Sequence, residues 1–308
     1  MTKSMRFDNR VAIVTGAGHG LGRAHALALA ARGAKVVVND LGGARDGTGG
    51  SASPAQAVVR EIEAMGGQAL ASMANVTDAD AVEAMVAQAK ARWGRVDILV
   101  NNAGILRDKT FAKMTLEDFR AVLEVHVMGA VTCTKAVWET MRAQAYGRIV
   151  MTSSSSGLYG NFGQANYGAA KMALVGLMNV LHLEGQKYDI RVNALAPVAA
   201  TRMTEDLMPR AALDLVTPEA VTAGLLALVH EEAPSRAILC AGAGGYAQTL
   251  IYETEGVYLP PDQQSPEAVQ AAMAQIGDPA GQKLFTHGGE QTMKFLGKAA
   301  TGLGVALG

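Results

Sequence analysis

Tyr167 and Lys171 stand four positions apart in Tyr167-Gly168-Ala169-Ala170-Lys171, a run that reads as helix. Four positions is about one helical turn, so the two side chains share a face. A phenol of ordinary pKa is a weak base at neutral pH. A neighbouring ammonium favours the phenolate and lowers that value. Such a pair can exchange a proton with the oxygen of an alcohol or a carbonyl. Read in isolation, the two are equally an amphipathic pair with a snorkelling lysine. A serine cluster, Ser153-Ser154-Ser155-Ser156, lies upstream after the apolar run Arg148–Thr152. One of its hydroxyls could hold the same oxygen, or the cluster is simply a polar loop.

Oxidising an alcohol carbon also needs an acceptor for hydride. Thr15-Gly16-Ala17-Gly18-His19-Gly20-Leu21-Gly22 follows the apolar run Val11–Val14 and precedes Ala and Leu at helical spacing up to Arg32. Glycines there allow a tight turn and close approach to a pyrophosphate, and a helix N-terminus offers N–H groups and partial positive charge. Gly16, His19, Gly20, Leu21 and Gly22 are therefore candidate dinucleotide contacts. Asp40 ends a second apolar strand, Lys35–Val38, 20 positions after Gly20. A carboxylate there can accept from both ribose hydroxyls and repels a 2′-phosphate, which favours NAD over NADP. Arg45 nearby could still serve a phosphate, and Asp40 could merely open a turn.

The remaining pattern supplies a frame for these residues. After a glycine-rich loop over Leu41–Gly50 come a helix to Met65, a strand at Gln68–Met73 and a helix at Asp78–Arg92. A strand at Ile98–Val100, a long helical stretch over Leu116–Ala143 and a strand at Arg148–Thr152 come next. A helix over Tyr167–Gly185 and a strand at Ile190–Leu195 complete the series. Strands alternating with helices predict an α/β fold, a doubly wound parallel sheet with helices on both faces. Residues 1–245 are expected to form this domain. Beyond them Pro260-Pro261 breaks the chain, and Ser265-Pro266-Glu267 has the form of a helix start. Residues 246–308 read as a C-terminal helical extension, packed on the domain or on a partner subunit.

Composition narrows the class. The 308 residues are 49% hydrophobic and 18% charged, enough for a large core and too apolar for a disordered chain. A net charge of -1 excludes a nucleic-acid or anionic-membrane surface as the main partner. Cys133 and Cys240 have no ligand spacing around them, so no metal site or disulfide is expected, and both read as small buried hydrophobes. The N-terminal residues have no apolar signal core, and no run of about 18 apolar residues is present. A cytoplasmic location is the expectation.

The glycines are spaced TGxxxGxG. With Asn101-Asn102-Ala103-Gly104 after a strand, and Tyr167-xxx-Lys171 preceded 13 positions earlier by Ser154, this resembles the short-chain dehydrogenase/reductase family. The resemblance covers roughly residues 7–245. It implies a Rossmann fold and a catalytic set of Ser154, Tyr167 and Lys171, with Tyr167 and Lys171 also contacting the cofactor, Lys171 at the nicotinamide ribose. It adds Asn102, Ala103 and Gly104 lining the cofactor cleft, Asn75 and Val76 beside the adenine, and Pro197 and Thr201 near the nicotinamide. It further implies a homodimer or homotetramer. Val38–Gly43, Asn101–Asp108 and Tyr159–Tyr167 are similar to the dehydrogenase part of peroxisomal multifunctional enzyme type 2. That likeness implies a small-molecule substrate: a (3R)-hydroxyacyl-CoA or, in some members, a hydroxysteroid.

The sequence departs from the family pattern in places. His126 stands three residues before Gly129, where many members have the asparagine of a proton relay; it is a relay group or a satisfied buried histidine. Asn75 replaces an aspartate and can instead precede a helix cap. Val198 replaces the glycine after Pro197. Arg202–Pro209 is expected to be the substrate lid, with Met203 and Met208 suited to a greasy substrate or to the core. The leading expectation is an NAD-dependent alcohol/ketone oxidoreductase. A carbonyl reductase of another substrate class and a non-enzymatic nucleotide-binding redox sensor are the alternatives.

Overall fold

The computed structural model describes residues 4–200 and 209–307. Thr201 and most of the expected lid, Met203 and Met208 included, lie outside them. By internal contacts the chain divides into two units, Met1–Gln248 and Thr249–Gly308.

The first unit is built on short strands rich in valine, isoleucine and leucine. They are β1 (Val11–Thr15), β2 (Lys35–Asn39), β3 (Gln68–Ser72), β4 (Ile98–Asn101), β5 (Gly147–Thr152), β6 (Ile190–Val198), β7 (Ile238–Gly242) and β8 (Gly245–Thr249). Their order across one sheet is β3-β2-β1-β4-β5-β6-β7-β8. From β3 to β7 every neighbouring pair is parallel. The chain runs outward one way from β1 and the other way from β4. That reversal opens a crevice at the carboxyl ends of β1 and β4.

Between the strands run α1 (Gly20–Ala31), α2 (Ser53–Ala64), α3 (Ala79–Trp93), α4 (Leu116–Leu123), α5 (Gly129–Gln144), α6 (Ser155–Tyr159), α7 (Ala165–Gly185), α8 (Arg210–Leu213) and α9 (Pro218–Val229). Side chains alternate across a strand, so β1 serves two cores at once. Ala12 and Val14 meet Leu29 of α1, Ile62 of α2 and Leu225 of α9 on one face. Val11 and Ile13 meet Met85 of α3, Met141 of α5 and Met178 of α7 on the other. The expected helices on both faces are present. The apolar stretch Arg210–Val229 ends in α9, whose Val221, Leu225 and Val229 are buried in this core.

Four details differ from expectation. The stretch over Leu116–Ala143 is not one helix: a π-helical turn at Glu124–Met128 separates α4 from α5. Such a turn accommodates one extra residue and re-aims a side chain, here His126, which is turned inward and buried. Second, α7 begins at Ala165, so Tyr167 lies in its first turn. Third, α9, β7 and β8 extend the pattern past Leu195. Fourth, only Cys133 is buried; Cys240 is half-exposed.

In the second unit Ser265 caps α10 (Pro266–Ile276), its hydroxyl accepting the Ala268 N–H at 3.1 Å. A further helix, α11, spans Gly288–Leu303. The rest of this unit is mostly irregular chain rather than helix, and none of its described residues is buried.

Candidate active site

The loop after β1 is held by side chains that strengthen its glycine geometry. Thr15 Oγ1 donates to the Val100 carbonyl and accepts the N–H groups of Asn102 and Ala103, at 3.2, 3.0 and 3.0 Å. Asn102 Nδ2 returns to the carbonyls of Thr15 and Gly16 at 2.9 and 3.1 Å. Gly16 sits at φ +63°, and a Cβ there would lie 2.9 Å from the Ala103 Cα. β1 and β4 are thereby stitched together where their ends diverge. No side chain caps α1 at His19, and the first N–H groups of such a helix favour an anion.

Beside this loop opens a cleft of about 400 Å³. Gly16, His19, Gly20, Leu21, Gly22 and Asp40 line one part of it, and Asn75, Val76, Asn102, Ala103 and Gly104 another. Every expected dinucleotide contact from Gly16 to Gly104 is therefore gathered in one place. Pro197 is not: it lies at the end of β6, opposite Ala241 of β7. Asp40 already has work to do, accepting Gly18 N–H at Oδ2 and Gly42 N–H at Oδ1, both at 2.7 Å. A carboxylate offers about four lone-pair sites, so acceptor capacity remains for ribose hydroxyls. Asn75 also makes the turn that was its other reading, accepting Thr77 N–H at 3.2 Å, while Asp78 caps α3.

The four serines separate by what they bind. Ser153 is buried and donates to the Lys171 carbonyl at 2.9 Å. Ser156 is buried and donates to Gln164 Oε1 at 2.7 Å. Ser155 is exposed. Ser154 alone is hydrogen-bonded to the Tyr167 phenol, while also accepting Ser156 N–H as the cap of α6. Lys171 is buried, its Nζ 5.4 Å from the Tyr167 ring centre and donating to the Thr152 carbonyl at 2.6 Å.

The phenol acidified by its lysine neighbour is not found in the protein's own groups. Burial pushes Tyr167 up to about 12, opposed by the Ser154 hydrogen bond, with Asp108 adding to the rise. Burial also pushes Lys171 down to about 7. The ammonium is turned to a backbone carbonyl rather than to the phenol oxygen, so desolvation outweighs attraction.

His126 lies edge-on to Tyr167, ring centres 5.3 Å apart at 86°. Its Nε2 is 2.9 Å from the Ile105 carbonyl and 3.1 Å from the Ile105 N–H. Burial first, then the Lys171 charge, holds its pKa well below the ordinary histidine value. A void of about 10 Å³ touches Thr15, Asn101, His126 and Lys171. Gly104 is glycine for this ring: a Cβ there would come within 2.1 Å of His126 Cε1.

Sequence reasoning did not single out Thr15, Ser153, Asn166 or Arg107 as site residues. Asn166 is fully buried next to Tyr167, and its Nδ2 donates to the Arg107 carbonyl at 3.0 Å. These partners are distant in sequence and mostly main-chain atoms, so spacing alone carries no sign of them.

Comparison with known proteins accords with this geometry. The sequence profile described as short chain dehydrogenase matches residues 10–211. A short-chain type dehydrogenase/reductase of Mycobacterium tuberculosis is 48% identical over 280 residues, 90% of this chain and 97% of that one. Full-length peroxisomal multifunctional enzyme type 2 from Drosophila melanogaster superposes with a TM-score of 0.80 at 36% identity. That match covers 95% of this chain and 50% of the fly protein, so this chain spans half of that relative. A 7α-hydroxysteroid dehydrogenase, solved with NADH and 7-oxo glycochenodeoxycholic acid, gives a TM-score of 0.71 at 30% identity, covering 82% of this chain and all of that one. Members of this family use NAD(P)(H) on small-molecule substrates. With the glycine turn and the Asn-Asn-Ala-Gly stitch lining one cleft, and Ser154, Tyr167 and Lys171 brought together, this chain belongs to the short-chain dehydrogenase family and is an oxidoreductase.

Proposed function

We propose that the protein interconverts a secondary alcohol and a ketone, with NAD as hydride carrier and a (3R)-hydroxyacyl-CoA as the substrate class. The observation that carries the reading is the hydrogen bond between Ser154 and Tyr167 with Lys171 buried behind them. The dinucleotide, when bound, accepts or returns the hydride. Every other task falls to the chain. Ser154 and Tyr167 hold one substrate oxygen between two hydroxyls. Tyr167 takes or gives its proton. Lys171, held at about 7, changes charge close to neutral pH.

The cleft fits such a group. Its wall is made of a glycine turn whose Cβ positions are filled by neighbouring atoms, under an uncapped helix N-terminus. Asp40 in its lining supports NAD, because a carboxylate repels a 2′-phosphate. The acyl-CoA substrate is supported by the likeness of Val38–Gly43, Asn101–Asp108 and Tyr159–Tyr167 to the multifunctional enzyme. The hydroxysteroid reading is supported by the fit to the steroid dehydrogenase. A homodimer or homotetramer is supported by apolar residues exposed on α7, namely Met172, Val180 and Leu183. The proposed compartment is the cytoplasm.

The test is NADH formation with a panel of (3R)- and (3S)-hydroxyacyl-CoA thioesters and steroid alcohols, run in parallel with NADP+. Turnover of the (3R)-thioester with NAD+ is expected. Turnover of steroid alcohols alone, or a preference for NADP+, overturns the corresponding half of the proposal.

A further inference from the structure

Arg107 sits between the cleft and the helix that carries Tyr167. Its Nε donates to the Asp46 carbonyl at 3.2 Å, in the glycine-rich loop after β2. The next residue back, Leu106, donates its N–H to the Arg45 carbonyl at 3.0 Å. Arg45, Gly47, Ile105 and Arg107 all line the cleft. On its other side the Arg107 carbonyl accepts Asn166 Nδ2 at 3.0 Å, and Asn166 Oδ1 accepts the Tyr167 N–H at 2.7 Å. Asn166 is fully buried, so losing either bond would leave a polar group of this side chain unpaired in the interior, which is costly. Two further ties hold the same segment to the residues just before α7: Lys109 N–H to the Gly163 carbonyl at 3.0 Å, and Gln164 Nε2 to Asp108 Oδ2 at 2.6 Å. Asp118 anchors the outer end, 3.3 Å from Arg107 and 2.8 Å from Lys109.

We propose that Arg107 and Asn166 are positioning residues, a strap from the Asp46 carbonyl through the Arg107 main chain to Tyr167, by which the loop over the cleft sets the place of the phenol. The proposal rests on Tyr167 being the proton-transferring group. It goes further by making the placement of that group depend on a loop far along the chain. Asp46 and Tyr167 are joined by only two intervening residues, each contributing polar bonds, whereas Ser154 and Lys171 have no direct link to that loop among the described hydrogen bonds. A misplacement of about 1 Å at a reacting group costs up to a hundredfold in rate.

The experiment is a double-mutant cycle of Arg107→Met and Asn166→Asp, with Arg107→Lys as the conservative variant. Each single substitution is expected to lower kcat about tenfold, by more than it raises the dissociation constant for NAD+. The double variant is expected to be no slower than the slower single one, because a strap cut once is already cut. Arg107→Lys, which keeps a donor for the Asp46 carbonyl, is expected to recover most of kcat. A second readout needs no turnover: ionisation of Tyr167, followed as the tyrosinate absorbance that Tyr167→Phe removes. Added NAD+ is expected to lower this titration in the wild type and to lower it at most half as far in Arg107→Met. Losses that multiply to about a hundredfold in the double variant overturn the strap, as does an unshifted kcat in Arg107→Met. Should Asn166→Asp fail to fold, Arg107→Met and the titration decide. Absence of wild-type turnover on every alcohol tested sinks the functional reading, while the titration still tests the strap.

Discussion

Lys171 Nζ donates to the Thr152 carbonyl at 2.6 Å, while the Lys171 carbonyl receives the Ser153 hydroxyl at 2.9 Å. One lysine is thus held at both ends, by the last residue before the serine cluster and the first residue of it, and its ammonium is kept away from water. The protein keeps it there at a cost that pH reveals.

In the folded chain burial holds Lys171 at about 7, against an ordinary value of 10.5. Between those values the unfolded chain binds the proton and the folded chain does not, so this residue makes stability rise with pH from about 7 to about 10. Below about 7 both states are protonated and the full penalty remains. Lys171→Met is therefore expected to raise the melting temperature at pH 6 by about 3 °C or more, with the advantage shrinking towards pH 10. Thermal melts of both proteins across that range check it. A constant difference would mean that the lysine does not titrate there.

Tyr167→Phe removes one oxygen and leaves the ring against His126 and Ile105. Turnover is expected to fall by about a thousandfold or more, in line with loss of a general acid–base group. The dissociation constant for NAD+ is expected to stay within about threefold, since this oxygen contributes nothing to the glycine turn. Steady-state kinetics with fluorescence titration of NADH separates the two quantities.

Asp40→Ala removes the acceptor of two backbone N–H groups as well as a negative charge. Hydrogen bonds to charged groups are worth roughly 1.5–3 kcal/mol each. The expected result is a KM for NAD+ raised about tenfold or more, and a ratio of NAD+ to NADP+ efficiency lowered by a similar factor. An unchanged cofactor ratio would show that the carboxylate only shapes the turn.

Gly104→Ala is expected to destabilise the fold by about 1–3 kcal/mol, the usual cost of overpacking. The atom in the way belongs to His126, so the same substitution is expected to cost less than half as much in a His126→Ala background. Denaturant midpoints of the four proteins give the coupling directly. The pH–rate profile is expected to lack a limb set by His126, because burial and the Lys171 charge keep that ring neutral through the working range.

Much of this site can be read from the chain because its parts repeat a local pattern. The glycine turn falls between an apolar strand and a helix, Asp40 ends the next strand, and Tyr167 and Lys171 lie one turn apart. Helix α9 carries a local signal of the same kind: Thr217-Pro218-Glu219 has the same cap, proline and acid as Ser265-Pro266-Glu267. The π-helical turn has none, since apolar periodicity does not show a single extra residue in a helix. Nor does the part played by Asn166 and Arg107. Their bonds join residues 59 and 61 positions apart and end on main-chain carbonyls, which every residue possesses. The fate of Tyr167 and Lys171 depends on desolvation, a property of the assembled interior that spacing on one helix face does not contain.

The unit from Thr249 onward keeps no side chain wholly out of water among its described residues. Met273, Met293, Phe295 and Leu303 are all more than half exposed on its helices. Sixty residues without an inside have nothing to collapse around, and chains of that size are marginal even with a core. The described residues after Gln248 thus hold their shape by hydrogen bonds, ion pairs and half-buried contacts within the segment, such as Lys294 to Glu253, rather than by a dry interior.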